Sequence, residues 1–123
     1  MIENNVSEFI SEVEQEIERI GITAGSVAMI AKEHGLSDPG AYYSIPGYEN
    51  LFFLWNITEE AANAFKDLLA RREDFTAKIC DMLLVIMCGG PIPVNMPMAK
   101  KVYSYKKEHW LPVYFDKKRV SHS

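Results

Sequence analysis

The chain has 123 residues, of which 48% are hydrophobic and 24% charged, and its formal net charge is −4. This length suits one domain with a hydrophobic core that needs no disulfide or metal, and the apolar content argues against disorder. No apolar stretch approaches the ~20 residues of a membrane span, and the acidic start MIENNVSEFI is unlike a signal peptide. We therefore expect a cytoplasmic protein without membrane contact.

Charge is unevenly distributed along the chain. Residues 1–20 carry a net charge of −5, whereas residues 99–119 carry +5. Because the local potential governs binding more than the net charge does, the basic region is the candidate surface for a polyanion.

Two helices are predicted in the first third of the chain. The first is indicated by apolar residues at helical spacing, with Asn5 as its N-cap and Gly21 as its C-terminal stop. The apolar residues of this helix are Val6, Phe9, Ile10, Val13, Ile17 and Ile20. Thr23 can cap a second helix that runs to about His34.

The middle of the chain is predicted to hold a short helix, a strand and a longer helix. Residues 37–45 suit one or two helical turns, because Pro39 is tolerated at a first helical position. Residues 50–56 (NLFFLWN) are predicted as a buried strand, with a short buried helix as the alternative. Thr58 then caps a helix to about Arg72, with acids in its first turn and bases in its last.

The run from residue 79 to residue 98 predicts a β-hairpin. Residues 82–88 (MLLVIMC) suit a buried strand, and Gly89-Gly90 supplies the positive φ angles of a tight turn. Residues 91–98 (PIPVNMPM) alternate with period two, and prolines of one parity remove N–H donors along one edge. We therefore expect a sheet edge that no further strand can join.

A second short hairpin is predicted near the carboxyl end, from residues 102–105 and 111–115 around the turn 106–109. Residues 1–116 are predicted to form a single domain, and residues 117–123 a frayed tail. The predicted fold class is α+β, with helices followed by two hairpins.

This order of elements resembles the winged-helix class of DNA-binding domains. Within it, residues 27–44 look like a helix-turn-helix, because Ala31 allows close helix crossing and Gly35 permits the turn. The resemblance implies contact with DNA by residues 37–44 or by the helix from Glu59, which stands just before the hairpin. The candidate residues on these segments are Ser37, Tyr42, Tyr43, Asn63 and Lys66. The alternatives are an ordinary helical hairpin for residues 27–44 and a solvated face for the Glu59 helix.

Lysines alternate with aromatic residues in the basic region. The lysines predicted to bind nucleic acid are Lys100, Lys101, Lys106 and Lys107. Cations neutralise phosphates and exposed rings stack on unpaired bases, so the combination is typical of a nucleic-acid surface. The alternative is an ordinary small sheet, whose core uses the rings and whose edge uses the lysines.

No combination of residues indicates catalysis, a cofactor or a metal. Cys80 and Cys88 are eight residues apart, too far for a disulfide on one strand, and no Cys or His has metal-ligand spacing. Gly89-Gly90 lacks the lysine of a phosphate-binding loop. We therefore expect a small non-enzymatic DNA-binding protein, a transcriptional regulator. The alternative is a protein-interaction module or homodimer that uses the acidic first helix or the aromatic carboxyl-terminal hairpin.

Overall fold

The computed structural model describes residues 2–118, and within this range the chain forms four α-helices and six β-strands. The fold is α+β with helices leading, as predicted. The helices are α1 (Ile2–Arg19), α2 (Ala24–Glu33), α3 (Glu59–Arg71) and α4 (Met82–Cys88). The strands are β1 (Ile22–Thr23), β2 (Ser37–Ser44), β3 (Leu51–Ile57), β4 (Phe75–Ile79), β5 (His109–Trp110) and β6 (Val113–Lys117). Lys117 belongs to β6, and residues 119–123 of the predicted frayed tail lie outside the described range.

The three longer helices are confirmed, and α2 and α3 begin at the predicted caps. The N-cap predicted for α1 is wrong, since this helix begins at Ile2 and Asn5 lies inside it. The Thr23 hydroxyl accepts from the Ser26 N–H at 3.4 Å at the start of α2. The Thr58 hydroxyl accepts from the Ala61 N–H at 3.2 Å at the start of α3. Each cap satisfies an N–H that the helix leaves without a partner. In α1, the side chains of Phe9, Val13 and Ile17 are fully buried.

One antiparallel sheet has the order β1–β6–β4. At its centre, Phe115 is fully buried between Ile22 of β1 and Ala77 of β4. The Phe115 ring meets the Phe65 ring of α3 edge-on, with 4.8 Å between centroids, a favoured aromatic geometry. The central strand therefore attaches α3 to the sheet.

The second sheet has the order β2–β3–β5, with β2 antiparallel and β5 parallel to β3. The strand predicted over residues 50–56 is confirmed as β3. The helix predicted over residues 37–45 is wrong, since residues 37–44 form β2 and Tyr42 pairs with Trp55. Aromatic residues favour strands, and the apolar β3 supplies the partner that the short helix would lack. The helix-turn-helix predicted over residues 27–44 therefore lacks its second helix.

The hairpin predicted over residues 79–98 is also wrong. Residues 82–88 form α4, which begins where the Asp81 carboxylate accepts from the Leu84 N–H at 3.0 Å. The helix ends at Gly89, whose φ of 77° suits a helix terminus. The prolines of residues 91–98 lack the N–H donors that strand pairing needs. The β-pairing of this segment is a single isolated bridge between Met98 and Trp110.

The second predicted hairpin is wrong because its first arm forms no strand, and the two strands near its turn and second arm, β5 and β6, belong to different sheets. Residues 102–105 are irregular, and β5 lies beside β3 through the pairs Leu51–His109 and Phe52–Trp110. β6 instead joins the other sheet. Pro112, between β5 and β6, accepts a hydrogen bond from the Cys80 N–H at 2.9 Å.

Backbone meets backbone where α2 crosses the segment that follows α4. A Cβ on Gly25 would lie 2.7 Å from the Gly89 oxygen, and one on Gly90 would lie 2.1 Å from the Gly25 oxygen. The Trp55 indole N–H donates to the Pro91 carbonyl at 2.7 Å on the same segment. This crossing fixes where α4 and the chain beyond it leave the core.

Candidate nucleic-acid interface

Residues 100–109, which we call the lysine–tyrosine loop, connect the Met98 bridge to β5. The loop is held by its own rings, because Tyr105 stacks on His109 with 4.0 Å between centroids. The Tyr105 hydroxyl donates to the Lys101 carbonyl at 3.1 Å. The His109 Nδ1 lies 2.8 Å from the Lys107 carbonyl, and since a carbonyl only accepts, this nitrogen carries the proton. The two lysine pairs therefore lie on one internally bonded loop.

Asn50 anchors the lysine–tyrosine loop to β3. Its side-chain amide donates to the carbonyls of Tyr105 at 3.0 Å and Lys106 at 3.2 Å. Asn50 has a φ of 60°, a left-handed value that asparagine tolerates better than most residues. Sequence reasoning missed Asn50, although a polar residue at the end of an apolar run is a signal for such a turn.

The four predicted lysines of the lysine–tyrosine loop are exposed. No ion pair within residues 2–118 involves Lys100, Lys101, Lys106 or Lys107. The Lys101 ammonium lies 5.1 Å from the centroid of the Tyr103 ring, which is 54% exposed. The loop thus offers cations without carboxylate partners, together with an accessible aromatic face.

A cavity of about 400 Å³ lies beside the lysine–tyrosine loop, with Asn50, Asn95, Lys106 and Lys107 in its wall. The Tyr42 hydroxyl donates to the Asn95 side-chain oxygen at 3.2 Å, which brings β2 to the cavity's border. Tyr42 is therefore the one predicted residue outside the loop that the structure links to the lysines through the described contacts.

Tyr43 and Ser37 do not join this surface. The Tyr43 hydroxyl donates to the Ile57 carbonyl at 2.8 Å, and the Lys66 ammonium lies 5.7 Å from the Tyr43 ring centroid. Burial raises the pKa of the Tyr43 hydroxyl, helped by Asp38 and Glu59, so it remains a protonated donor. Ser37 pairs with Ile57 at the far end of β2. These contacts tie β2 to β3 and α3.

The exposed face of α3 has no excess positive charge, since its three carboxylates outnumber Lys66 and Arg71. Asn63 is exposed among Glu59, Glu60 and Asp67. Arg71, in the last turn, lies 3.8 Å from the Glu14 carboxylate of α1. Such a face repels phosphates as often as it attracts them.

Arg72, directly after α3, is fully engaged by carboxylates. It donates to Asp74 at 2.8 and 3.0 Å and to Glu14 and Glu18 of α1. These hydrogen bonds raise the pKa of Arg72, and the bond to Asp74 has the largest effect. The same bond lowers the pKa of Asp74 to about 2. Arg72 therefore binds α1 to α3 and is not free for a phosphate.

The Cys80 thiol is not activated. Cys80 and Cys88 are free and half-buried. Burial raises the pKa of Cys80, followed by smaller effects of Asp81 and Cys88, so its thiol stays protonated. Among residues 2–118, no group of three or more His, Cys, Asp or Glu side chains is placed to hold a metal ion. In the same range no helix has the length and apolar character to span a membrane.

Comparison of the chain with protein-family models, with curated proteins and with solved structures found no match. Function therefore has to be inferred from the residues and their geometry.

Proposed function

We propose that this protein binds DNA without catalysing a reaction and acts as a small transcriptional regulator in the cytoplasm. The lysine–tyrosine loop would supply the contacts to the phosphate backbone. The observation that carries this proposal is the set of four exposed lysines, unpaired within the described residues, on a loop anchored by Asn50 and by the Tyr105–His109 stack.

The chain's connectivity supports a winged-helix-like reading of this function. Helices α1, α2 and α3 precede β4 and β6, and β1 completes their three-stranded sheet. In the winged-helix class, the reading helix stands just before the hairpin strands, the place that α3 occupies before β4. The lysine–tyrosine loop lies in the long connection between β4 and β6. In this reading, that connection would take the place of the wing.

The chemistry of the two surfaces favours phosphate contacts over base readout. Side chains suited to read bases are scarce on α3, where Asn63 stands among carboxylates. Lysines contact phosphates as point charges without regard to sequence. We therefore expect binding that is strongly salt-dependent and only weakly sequence-dependent.

The test is fluorescence anisotropy with a random-sequence duplex at several salt concentrations. Each phosphate contact contributes about 0.9 to the slope of log K against log salt. Replacing all four loop lysines by glutamine should weaken binding at every sequence tried and make that slope shallower by about 3 to 4. An unchanged slope would contradict the proposal.

A matched control removes the same charge elsewhere. Four other lysines lie on α2, β4 and the end of β6, and they are Lys32, Lys78, Lys117 and Lys118. Their joint replacement by glutamine lowers the net charge equally, so its effect measures the contribution of net charge and of basic residues outside the loop. We expect the loop variant to lose much more affinity than this control.

A substitution of Tyr103 tests whether the target is double-stranded or single-stranded DNA. Stacking of one base on an aromatic ring contributes about 1 to 3 kcal/mol. Tyr103→Ala should therefore weaken binding of a single-stranded oligonucleotide by that amount if the ring stacks on bases. Duplex affinity should change little, because paired bases do not reach the ring.

A further inference from the structure

Helix α4 exposes apolar side chains that a solvated helix would not carry. Its sequence MLLVIMC contains no charged residue, and Val85 is its one buried residue. Leu83 and Ile86 are each 65% exposed, and Met87 is 74% exposed. Residues three and four apart share a helix face, so these three form one apolar stripe. Contiguous exposed apolar surface usually marks a binding site.

The stripe continues into a groove, which we call the α4 groove. This cavity of about 410 Å³ lies between α4 and the two helices α1 and α2. Met87 of α4 lines this cavity, as do Ile20 and Met29, which are 52% and 40% exposed. Buried Ile22 and Ile30 also line the cavity. An apolar cavity of this size accepts large side chains of a partner.

Carboxylates share this lining with the apolar residues. Glu12, Glu16 and Glu33 all line the α4 groove. The Glu12 side chain lies 2.9 Å from a His34 ring nitrogen, and Glu16 pairs with Arg19 at 2.7 Å. Glu33 is exposed at the end of α2. The groove lining therefore combines apolar side chains with three carboxylates.

The groove is preformed by backbone contacts. Gly25 of α2 packs directly against the Gly89–Gly90 peptide, and the Ser26 hydroxyl donates to the Cys88 carbonyl at 3.5 Å. A rigid site loses little entropy on binding, which favours a partner that brings its own helix.

We propose that the α4 groove binds a basic amphipathic helix of a partner protein. Apolar side chains of that helix would enter between Met29 and Met87, and its lysines or arginines would face the glutamates. Helix-in-groove recognition needs an apolar row and complementary flanks, and both are present here. This activity goes beyond DNA binding and uses a different surface.

Charge argues for such a partner over a second copy of the chain. A two-fold dimer applies the same surface patch to itself. Here that would bring Glu12, Glu16 and Glu33 of one molecule towards the same carboxylates of the other. Like charges in a desolvated interface oppose association, whereas a basic helix meets opposite charges.

The test uses a fluorescent helical peptide with leucines along one face and lysines on both flanks. The matched control peptide has glutamates in place of every lysine. We expect anisotropy to show binding of the basic peptide that weakens with salt, and no binding of the acidic peptide. Equal binding of the two peptides would overturn the proposal, as would no binding of the basic one at low salt.

Surface variants locate the binding site. Met87→Lys places a cation in the groove and should weaken binding of the basic peptide by about tenfold or more. Val94→Lys is the matched control, since Val94 is 89% exposed and outside the groove lining. Glu33→Lys should weaken binding and reduce its salt dependence. Equal affinity of Met87→Lys and Val94→Lys would refute this location, with circular dichroism confirming that both fold.

Sedimentation of the free protein tests whether a second copy of the chain, rather than a partner helix, occupies the α4 groove. A dimer at micromolar concentration that Met87→Lys dissociates would assign the groove to a second copy and overturn the proposal. The four-lysine loop variant should bind the basic peptide about as well as the unmodified protein does. Loss of DNA binding and loss of peptide binding are thus separately observable.

Discussion

Replacement of Gly90 by alanine tests the backbone crossing that positions α4. Gly90 has a φ of +92°, and an added Cβ would lie 2.1 Å from the Gly25 oxygen and 2.9 Å from its Cα. No rotation of a side chain relieves this overlap, because the neighbouring atoms are backbone. The variant must therefore move α2 and the Gly89–Pro91 segment apart.

The expected cost has two parts. A non-glycine residue in the left-handed region costs about 1 to 2 kcal/mol, and crowding in a packed interior costs about 1 to 3 kcal/mol. Gly47→Ala separates them, since Gly47 has a φ of +87° and nothing within 4 Å of an added Cβ. Both substitutions also reduce the entropy of the unfolded chain alike. The difference between the two variants therefore measures the crowding alone.

Urea unfolding followed by circular dichroism and tryptophan fluorescence is the assay. We expect Gly90→Ala to lower the free energy of unfolding by about 2 to 5 kcal/mol, and Gly47→Ala by about 1 to 2 kcal/mol. With a slope of about 1 to 3 kcal/mol per molar urea, the two midpoints should differ by about 1 M. Equal midpoints would refute the close approach of α2 to this segment.

Three further perturbations test the ion-pair cluster, the core and the loop anchor. Because Arg72 holds the pKa of Asp74 at about 2, below its usual 3.8, the stability from this carboxylate exists above pH 3.8 and is lost as the pH falls towards 2. Arg72→Gln should make the urea midpoint decline less between pH 4 and pH 2. Phe65→Ala, at a fully buried ring, should lower the free energy of unfolding by about 3 to 5 kcal/mol in the same assay. Asn50→Gly keeps the left-handed backbone accessible but removes both bonds to residues 105–106, so hydrogen exchange of the lysine–tyrosine loop should accelerate.

The Phe65→Ala prediction has a control variant, and the other two predictions each have a result that would contradict them. Val94→Ala, at an 89% exposed side chain, should change stability by less than about 0.5 kcal/mol. If the urea midpoint falls equally between pH 4 and pH 2 in Arg72→Gln and in the unmodified protein, Arg72 does not stabilise the ionised Asp74 carboxylate. Unchanged exchange in Asn50→Gly would show that the Tyr105–His109 stack holds the loop without the amide.

Local signals predicted the three longer helices. Apolar spacing located α1, and Thr23 and Thr58 cap α2 and α3 as predicted. These signals succeed because caps and helical periodicity act within a few residues. The prediction of a strand over residues 82–88 was wrong for the opposite reason. A short apolar run has no periodicity that distinguishes a strand from a helix. The missed signal was Asp81, which caps α4.

Strand pairing was predictable only in part, since it depends on distant partners. β2 pairs with β3, and the turn between the two strands contains Pro46-Gly47. This dipeptide is a turn signal, but it was interpreted as the end of a helix. Nothing local marks residues 75–79 as a strand, because β6, which pairs with them, follows much later. Of the candidate surface, the lysines were predictable from composition. Asn50 and the α4 groove depend on tertiary contacts that periodicity does not reveal.

The place of β6 between β1 and β4 has a consequence for the order of folding. The Tyr114 hydroxyl donates to the Ile20 carbonyl across a separation of 94 residues. Among the strands of residues 2–118, only β6 joins β1 to β4. On the ribosome, α1 to β4 can form local contacts early, but their sheet stays divided until residues 113–117 emerge. Such long-range closure slows folding and leaves two unpaired strand edges exposed during synthesis. The growing chain therefore depends on its last described strand to become resistant to aggregation.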